Sequence, residues 1–166
     1  MQALMLAAGM GKRLGKYTNG QTKCMVKVGG KTLLERTVEA LRLAGIRKFV
    51  VVVGYEGEKL VRYIQDNFSD MEFQFVYNHD YAETNNIYSL YLAKDLLIQD
   101  DTIMIESDLI YEPRLIRDMV EYPEDNLIAV AKYEQWMDGT VTLLDNENTC
   151  LLYTSSRLTR NCRLLS

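Results

Sequence analysis

Apolar residues recur along the chain in two alternating patterns. One is a short continuous or alternating apolar run between polar or glycine residues, which is typical of a strand. The other places apolar residues three or four positions apart, which is typical of one face of a helix. The first pattern predicts strands at residues 3–6, 48–53, 72–77, 102–106, 126–133 and 140–144. The second predicts helices at residues 32–44, 56–68, 86–98 and 113–122.

This exchange of strands and helices favours an α/β fold. Strands separated by helices pair in parallel, and the helices then cover both faces of the sheet. Gly45 follows the first helical pattern at the position of a C-terminal cap. We therefore expect a doubly wound, mostly parallel sheet, in which ligands bind beyond the carboxyl ends of the strands.

The segment 150–166 departs from this pattern. It contains three arginines and no acidic residue, and it shows neither clear strand alternation nor a capped helix. We expect residues 1–149 to form a truncated core, and residues 150–166 to be a non-native tail that packs poorly against it. The alternative is a genuine final strand followed by a basic tail.

Composition narrows the classes of function. The chain has 166 residues, a net charge of −4 and a pI near 5.1, which suits one acidic domain and disfavours general binding to nucleic acid or anionic membranes. No apolar stretch approaches the about 18–20 residues of a membrane span, and nothing resembles a signal peptide. Cys24, Cys150 and Cys162 are too widely spaced for a CxxC metal site or a disulfide framework. We expect a cytoplasmic protein.

The first predicted strand runs into a glycine-rich loop, Leu6-Ala7-Ala8-Gly9-Met10-Gly11-Lys12-Arg13-Leu14. Small residues let successive backbone N–H groups approach a ligand, and Lys12 and Arg13 add positive charge behind them. This combination predicts a site for a triphosphate. The loop lacks the third glycine of GxGxxG, and the chain lacks GxxxxGK[ST], so a nicotinamide-dependent oxidoreductase is disfavoured.

The loop and four later segments resemble the nucleotidyltransferases that activate sugar phosphates and phosphocholine. The later segments are Thr22-Lys23-Cys24-Met25-Val26, Gly29-Gly30-Lys31-Thr32-Leu33-Leu34-Glu35, Asn85-Asn86-Ile87-Tyr88-Ser89-Leu90-Tyr91-Leu92-Ala93 and Glu106-Ser107-Asp108. Thr22 stands where the family pattern has a proline before the lysine. The run from Asn85 is closer to the phosphocholine cytidylyltransferases than to the sugar branch, and the resemblance covers about residues 3–148.

The resemblance implies a Rossmann-like nucleotidyltransferase fold, a Mg²⁺ cofactor, and transfer of CMP from CTP to a phosphorylated small alcohol such as phosphocholine. It implies that Arg13 holds the β- and γ-phosphates, that Lys23 holds the α-phosphate, and that Asp108 binds Mg²⁺, a hard ion that favours oxygen ligands. The residues themselves leave other roles open. Lys23 could be a solvated surface lysine, and Asp108 could be a helix N-cap or a loop acid.

Further residues are expected to bind the nucleotide: Ala7, Ala8, Gly9, Gly11 and Lys12 in the loop, Tyr55 after the strand at 48–53, and Asn85 and Ser89 farther along. Asn85 and Asn86 also suit the N-cap of the helix that follows them. We expect one of these two asparagines to be a cap.

The acceptor leaves a weaker trace in the sequence. A trimethylammonium group is recognised by aromatic faces, which makes Tyr88, Tyr111 and Trp136 candidates for its site, with Tyr91 and Tyr133 also available. Aminoethylphosphonate and a sugar phosphate stay open as acceptors. The alternative functions are a sugar-1-phosphate uridylyl- or thymidylyltransferase and a catalytically inactive nucleotide-binding domain. With a non-native tail, we expect weak nucleotide binding and little turnover, because catalysis needs both substrates in place.

Overall fold

Strands and helices alternate through most of the structure. The computed structural model describes residues 1–18, 20–124, 126–136, 141–146 and 150–154, excluding the side chains of Lys12, Arg13, Lys16 and residues 150–154. The elements are β1 (Gln2–Ala7), β2 (Lys27–Val28), β3 (Lys31–Thr32), α1 (Leu33–Leu43), β4 (Lys48–Val53), α2 (Gly57–Asn67), β5 (Glu72–Tyr77), α3 (Asn86–Leu92), α4 (Lys94–Leu97), β6 (Thr102–Glu106), α5 (Arg114–Glu121), β7 (Val141–Leu144) and β8 (Cys150–Thr154). None of the described helices is long and apolar enough to cross a membrane.

The unit Met1–Tyr122 is built on a parallel sheet of four strands in the order β5-β4-β1-β6. β1 lies between two neighbours, so every residue from Gln2 to Leu6 has a partner on both sides. At the carboxyl end, Ala7 pairs with Val53 and Leu6 pairs with Glu106. The prediction of a mostly parallel sheet is confirmed, since β1, β4, β5 and β6 all run in the same direction.

Helices cover both faces of this sheet, as the alternation of elements predicted. One core contains Met5 of β1, Val51 of β4 and buried residues of α1, α2 and α5. On the opposite face, Leu4 and Val52 belong to a smaller core that Ala93 and residues of α3 and α4 complete. Burying a side chain of this kind contributes about 1.5–3 kcal/mol. Adjacent residues of β1 thus serve opposite cores, which fixes the strand's register.

The start and the end of α1 are set by its sequence. The Thr32 hydroxyl accepts a hydrogen bond from the Glu35 N–H, and the Glu35 carboxylate accepts one from the Thr32 N–H, a reciprocal capping box. At the other end Ala44 is the C-cap, and Gly45 takes a left-handed conformation with φ 74°. A glycine adopts that conformation without steric penalty. The prediction that Gly45 ends this helix is confirmed.

The helix predicted over residues 86–98 is two helices, α3 and α4, separated at Ala93. The Ala93 N–H bonds to the Leu90 carbonyl three residues back, which tightens the backbone into a turn. Ala93 is fully buried against the smaller core. The apolar spacing therefore identified the buried face correctly and missed the break.

The unit Pro123–Ser166 contains an antiparallel hairpin of β7 and β8. β7 matches the strand predicted at 140–144, of which Thr140 lies outside the described residues. The strand predicted at 126–133 is wrong. None of these residues forms a strand, and Ile128 and Val130 are half exposed. A strand needs a partner for its backbone groups, and the described ladders give this segment none.

β8 begins at Cys150, where the sequence predicted the pattern to end. Although this segment shows no clear strand alternation in its sequence, Cys150–Thr154 pair with β7 across an irregularity between Leu143 and Leu144. The rest of the predicted tail, residues 155–166, lies outside the described residues.

Candidate functional site

The carboxyl ends of the parallel strands bring four loops to one edge of the sheet. Residues 8–11 follow β1, residues 54–56 follow β4, residues 78–85 follow β5, and residues 107–113 follow β6. Ala7, which was predicted to bind the nucleotide, is buried at the end of β1 and paired with Val53, so it anchors the first loop. In parallel sheets this edge is where ligands bind.

The glycine loop presents its backbone to solvent after a buried start. Ala8 is buried, Gly9 is exposed, and Gly11 has a left-handed φ of 63° before the 3-10 segment Lys12–Thr18 begins. Within the described part of the chain, no group accepts a hydrogen bond from the N–H of Gly9, Met10 or Gly11. Successive free N–H groups form an anion-binding concavity. The side chains of Lys12 and Arg13, predicted to reinforce it, lie outside the described residues.

Lys23 and Asp108, two residues predicted to be catalytic, form an ion pair. Lys23 Nζ lies 2.8 Å from Asp108 Oδ2, and the two side chains are 23% and 35% exposed. The 3-10 turn Lys23–Met25 positions the lysine, and the loop after β6 positions the aspartate. Lys23, for which a solvated surface position was the alternative, is thus paired with a carboxylate and only partly exposed.

Asp108 is a loop acid and not a helix cap. The N-cap of α5 is Pro113, which makes no side-chain capping hydrogen bond. The N-cap interpretation of Asp108 is therefore wrong, and its carboxylate is free of a structural duty in α5.

Gly11 joins the glycine loop to this ion pair. An ideal Cβ at Gly11 would lie 2.8 Å from Lys23 Cγ and 3.3 Å from Thr18 Cγ2. Only glycine leaves space for the lysine stem at this point, and only glycine takes the left-handed backbone without strain. The glycine loop is consequently in close contact with the stem of Lys23.

A second carboxylate, that of Glu106, ends β6 two residues before Asp108. Partial desolvation and the negative charge of Asp108 raise its pKa, while the positive charge of Lys23 opposes that rise. The charges of Asp108 and Lys23 thus act on Glu106 in opposite directions, and Lys23 also pairs with Asp108.

The donor set can be tested for Mg²⁺. Among the described residues no group of three or more His, Cys, Asp or Glu side chains is placed to hold a metal. Mg²⁺ in nucleotide sites takes one or two protein carboxylates and fills the remaining positions with phosphate oxygens and water. Asp108, with Glu106 near it, fits that kind of site and does not fit an all-protein cage.

The turn after β4 closes against the glycine loop. The Tyr55 N–H donates to the Ala8 carbonyl oxygen at 3.0 Å. An ideal Cβ at Gly54 would lie 2.8 Å from the same oxygen and 2.9 Å from Tyr81 Cβ. The Tyr55 and Tyr81 rings meet edge to face, with centroids 6.1 Å apart. These contacts make a wall of Gly54, Tyr55 and Tyr81 beside the loop; we refer to it as the tyrosine wall.

Asn78, which the sequence analysis missed, holds the loop after β5. It is 2% exposed, and its Nδ2 donates to Thr84 Oγ1 and to Ser89 Oγ, each at 3.0 Å. Ser89, which was predicted to bind the nucleotide, is buried and accepts this bond. An asparagine directly after a buried strand was the available signal, since a buried amide must find partners.

Asn85 is the N-cap of α3, and this confirms that one of the two asparagines caps the helix. Its Oδ1 accepts hydrogen bonds from the N–H groups of Ile87 at 3.1 Å and Tyr88 at 3.4 Å. Asn86 is the first residue of the helix and is exposed. The side-chain oxygen of Asn85, which was predicted to bind the nucleotide, thus caps the start of the helix.

Tyr88 and Tyr111, two of the residues predicted for an acceptor site, lie on opposite faces of the sheet in the first unit, because α3 packs on the smaller core and Tyr111 on the larger one. The Tyr88 ring stacks on Tyr91, with centroids 6.3 Å apart, on the surface of α3. Tyr111 packs against the larger core, and its hydroxyl donates to Thr37 Oγ1 at 3.4 Å. Burial raises the pKa of Tyr111, as is expected for a residue packed against the core. Trp136 and Tyr133 belong to the second unit, where Trp136 is 79% exposed and Tyr133 46% exposed.

Comparison with known proteins relates this arrangement to nucleotide chemistry. Residues 3–162 match the family described as the MobA-like NTP transferase domain. A CTP:phosphoglutamine cytidylyltransferase of Campylobacter jejuni is 34% identical over 137 residues, which cover 80% of this chain and 53% of that protein. A choline-phosphate cytidylyltransferase of Streptococcus pneumoniae is 37% identical over 108 residues, which cover 65% of this chain and 44% of that protein. The chain therefore spans about half the length of each relative.

A solved structure shares the fold. The CTP:phosphocholine cytidylyltransferase of Streptococcus pneumoniae superimposes with a TM-score of 0.72 at 25% identity, over 92% of this chain and 63% of that one. The predicted Rossmann-like arrangement of a mostly parallel sheet with flanking helices is confirmed by this likeness.

Proposed function

Since the chain belongs to the family of MobA-like NTP transferase domains, we propose that it is a cytidylyltransferase that transfers CMP from CTP to a small phosphorylated alcohol such as phosphocholine. Pyrophosphate is the second product. The observation that carries the proposal is the ion pair of Lys23 and Asp108 beside the glycine loop, whose N–H groups at Gly9, Met10 and Gly11 have no acceptor among the described residues. It places a cation, a carboxylate and an anion cradle at one edge of the sheet.

The reaction requires charge placement more than proton transfer. A phosphate oxygen of the acceptor attacks the α-phosphorus, and the bond from that phosphorus to the oxygen bridging to the β-phosphorus breaks as pyrophosphate leaves. A phosphate monoester has a second pKa near ~6, so it is already a dianion at neutral pH and needs no general base. This chemistry gives histidine no role, and His79, in the loop after β5, stacks on Tyr77.

Each group in the site has a role that its chemistry supports. The N–H groups of Gly9, Met10 and Gly11, together with Arg13, bind the β- and γ-phosphates that leave as pyrophosphate. Lys23 stabilises the charge that builds on the α-phosphate, where preorganised cations act most strongly. Asp108 would hold Mg²⁺, which, when bound, supplies positive charge to the phosphates and to the leaving group.

CTP and a phosphocholine-like acceptor are favoured by two observations. The relatives named above include cytidylyltransferases acting on phosphoglutamine and choline phosphate. The run from Asn85 to Ala93 carries the closer resemblance to the phosphocholine branch. It forms the cap of α3, α3 itself and Ala93, at which α3 is separated from α4. We propose the cytoplasm, where nucleoside triphosphates are made, as the compartment in which the protein acts.

Calorimetric titration with CTP, UTP, dTTP and GTP, each with and without Mg²⁺, tests the nucleotide. We expect Mg²⁺-dependent binding with CTP the tightest ligand. A preference for UTP or dTTP would instead favour the sugar-1-phosphate branch of the family. Failure of all four nucleotides to bind the folded protein would overturn the proposal.

A pyrophosphate-release assay tests the acceptor. Phosphocholine, 2-aminoethylphosphonate and a sugar 1-phosphate are each supplied with the preferred nucleotide and Mg²⁺. We expect release with phosphocholine. Nucleotide binding without release from any acceptor would favour the alternative of a nucleotide-binding domain that does not catalyse transfer.

A further inference from the structure

Asn78 lies at the centre of a closed hydrogen-bond network beneath the loop after β5. Its Oδ1 accepts from the Asp80 N–H at 3.0 Å, while its Nδ2 reaches Thr84 and Ser89. Its own N–H donates to the Val53 carbonyl oxygen at 2.8 Å, at the end of β4. The side-chain oxygen, the side-chain amide and the backbone N–H of Asn78 thus bond to different parts of the chain.

The network closes the turn that carries Tyr81. The Thr84 hydroxyl donates to the Asp80 carbonyl oxygen at 2.8 Å, and the N–H groups of Glu83 and Thr84 donate to the same oxygen. Asn78 therefore holds the first residue of the turn through Asp80 and the last through Thr84. Through Ser89 it also attaches the turn to α3.

Tyr81 transmits this order to the tyrosine wall. Its Cβ lies 2.9 Å from the position that a Cβ would occupy at Gly54, and its ring meets that of Tyr55. Tyr55 in turn bonds Ala8, the first residue of the glycine loop. The tyrosine wall thus lies directly beside the glycine loop. The rings of Tyr55 and Tyr81 are partly exposed.

We propose that Asn78 is a positioning residue that sets the tyrosine wall as the surface against which the nucleotide base binds. This role rests on the proposed function, because it assumes that the glycine loop takes the triphosphate. Aromatic rings fixed beside a phosphate site bind a base by stacking and by exclusion of water. A flexible turn would have to be ordered on binding, which weakens affinity for the base and leaves phosphate affinity unaffected.

The experiment compares a ligand with a base and one without. CTP and inorganic tripolyphosphate, both with Mg²⁺, are titrated into wild type, Asn78→Ala and Tyr81→Ala. We expect both variants to bind CTP at least about tenfold more weakly, since Asn78→Ala leaves buried polar partners unsatisfied and both variants disturb the wall. Tripolyphosphate affinity should stay within about twofold of wild type, and the preference for CTP over UTP should diminish.

The outcomes distinguish failure of the Asn78 role from failure of the proposed function. Equal weakening of CTP and tripolyphosphate, or unchanged CTP binding in Tyr81→Ala, would overturn the role of Asn78. Tyr81→Ala covers the case in which Asn78→Ala does not fold, because Tyr81 is partly exposed. Glu83→Ala, at an exposed position in the same turn, is the matched control and should bind both ligands as wild type does. Wild type that binds tripolyphosphate but no nucleotide would overturn this role, whereas wild type that binds neither would overturn the proposed function itself.

Discussion

Lys23 Nζ lies 2.8 Å from Asp108 Oδ2, although 85 positions separate the two residues in the sequence. The pair depends on the sheet, because Asp108 follows β6 and Lys23 lies in the connection after β1, the strand that pairs with β6. Both side chains are only partly exposed, so each charge relies on the other in the free protein. A change to either residue should therefore alter ligand binding more than it alters folding.

Asp108→Asn keeps the size of the side chain and removes its charge. If Asp108 binds the metal, the variant should lose the Mg²⁺-dependent part of CTP binding, while its melting temperature stays close to that of wild type. Asp101→Asn is the matched control, because Asp101 precedes β6 at the opposite edge of the sheet. Titration of both variants with CTP at several Mg²⁺ concentrations makes the comparison. Undiminished Mg²⁺ dependence in Asp108→Asn would remove this residue from the metal site.

Arg13→Ala should weaken binding of CTP with Mg²⁺ by about 2 kcal/mol or more, because a charge-assisted contact to phosphate is lost. Arg47→Ala removes an arginine at the opposite edge of the sheet, where it pairs with Asp70, and should leave affinity unchanged. Calorimetry measures both. Equal affinities for wild type and Arg13→Ala would place Arg13 outside the site.

Gly11→Ala introduces two separable penalties. A left-handed backbone is strained for alanine, and the new Cβ would meet Lys23 Cγ at 2.8 Å. Gly45→Ala shares the first penalty, with φ 74°, but its Cβ meets nothing within 4 Å. We expect the strained backbone to cost each variant about 1 kcal/mol of unfolding free energy, and Gly11→Ala to lose more than Gly45→Ala because of the contact with Lys23. A marked loss of nucleotide affinity should follow in Gly11→Ala alone, and its absence there would show that the Lys23 position is not critical.

Glu35→Gln tests the electrostatics of the α1 cap. Acceptance of the Thr32 N–H is the main reason that the pKa of Glu35 lies below its ordinary value of 4.5. A lowered pKa in the folded state means that the ionised carboxylate stabilises the protein above about pH 4.5. That contribution disappears as the pH falls through the folded-state pKa. Wild type should exceed Glu35→Gln by about 0.5 kcal/mol at pH 7, and denaturant unfolding should show the gap closing below pH 4. A gap that is constant with pH would contradict this interpretation.

Much of the sheet could be predicted because buried strands leave a strong local signal. The run from Lys48 to Val53 is apolar at five successive positions, and the structure buries those five residues. The segment 126–133 has a similar composition and forms no strand, because a strand also requires a partner that local sequence does not reveal. The break at Ala93 is likewise a tertiary effect, since nothing in the residues around it disfavours a helix.

The site was predictable in its loops and less so in its side chains. Placement after the strands singled out Gly11 and Asp108, which the structure brings to the carboxyl edge of the sheet, and the family resemblance added Lys23. Their contact could not be read from spacing, because it depends on a 3-10 turn and on the stem of Lys23 crossing Gly11. The internal hydrogen bond from Asn78 to Ser89 likewise could not be predicted, because nothing local marks Ser89 as buried.

The position of β1 inside the sheet has a consequence for synthesis on the ribosome. β1, β4 and β5 can assemble once residue 77 has emerged, whereas β6, whose Thr102 pairs with Gln2 100 positions earlier, arrives much later. Until then one side of β1 is an unpaired edge, which is open to association with other chains. Lys23 also has no Asp108 to pair with during that interval. The nascent chain therefore completes its sheet and its ion pair in the same late step. A nucleotide that requires the ion pair would bind only chains in which β6 has already joined the sheet.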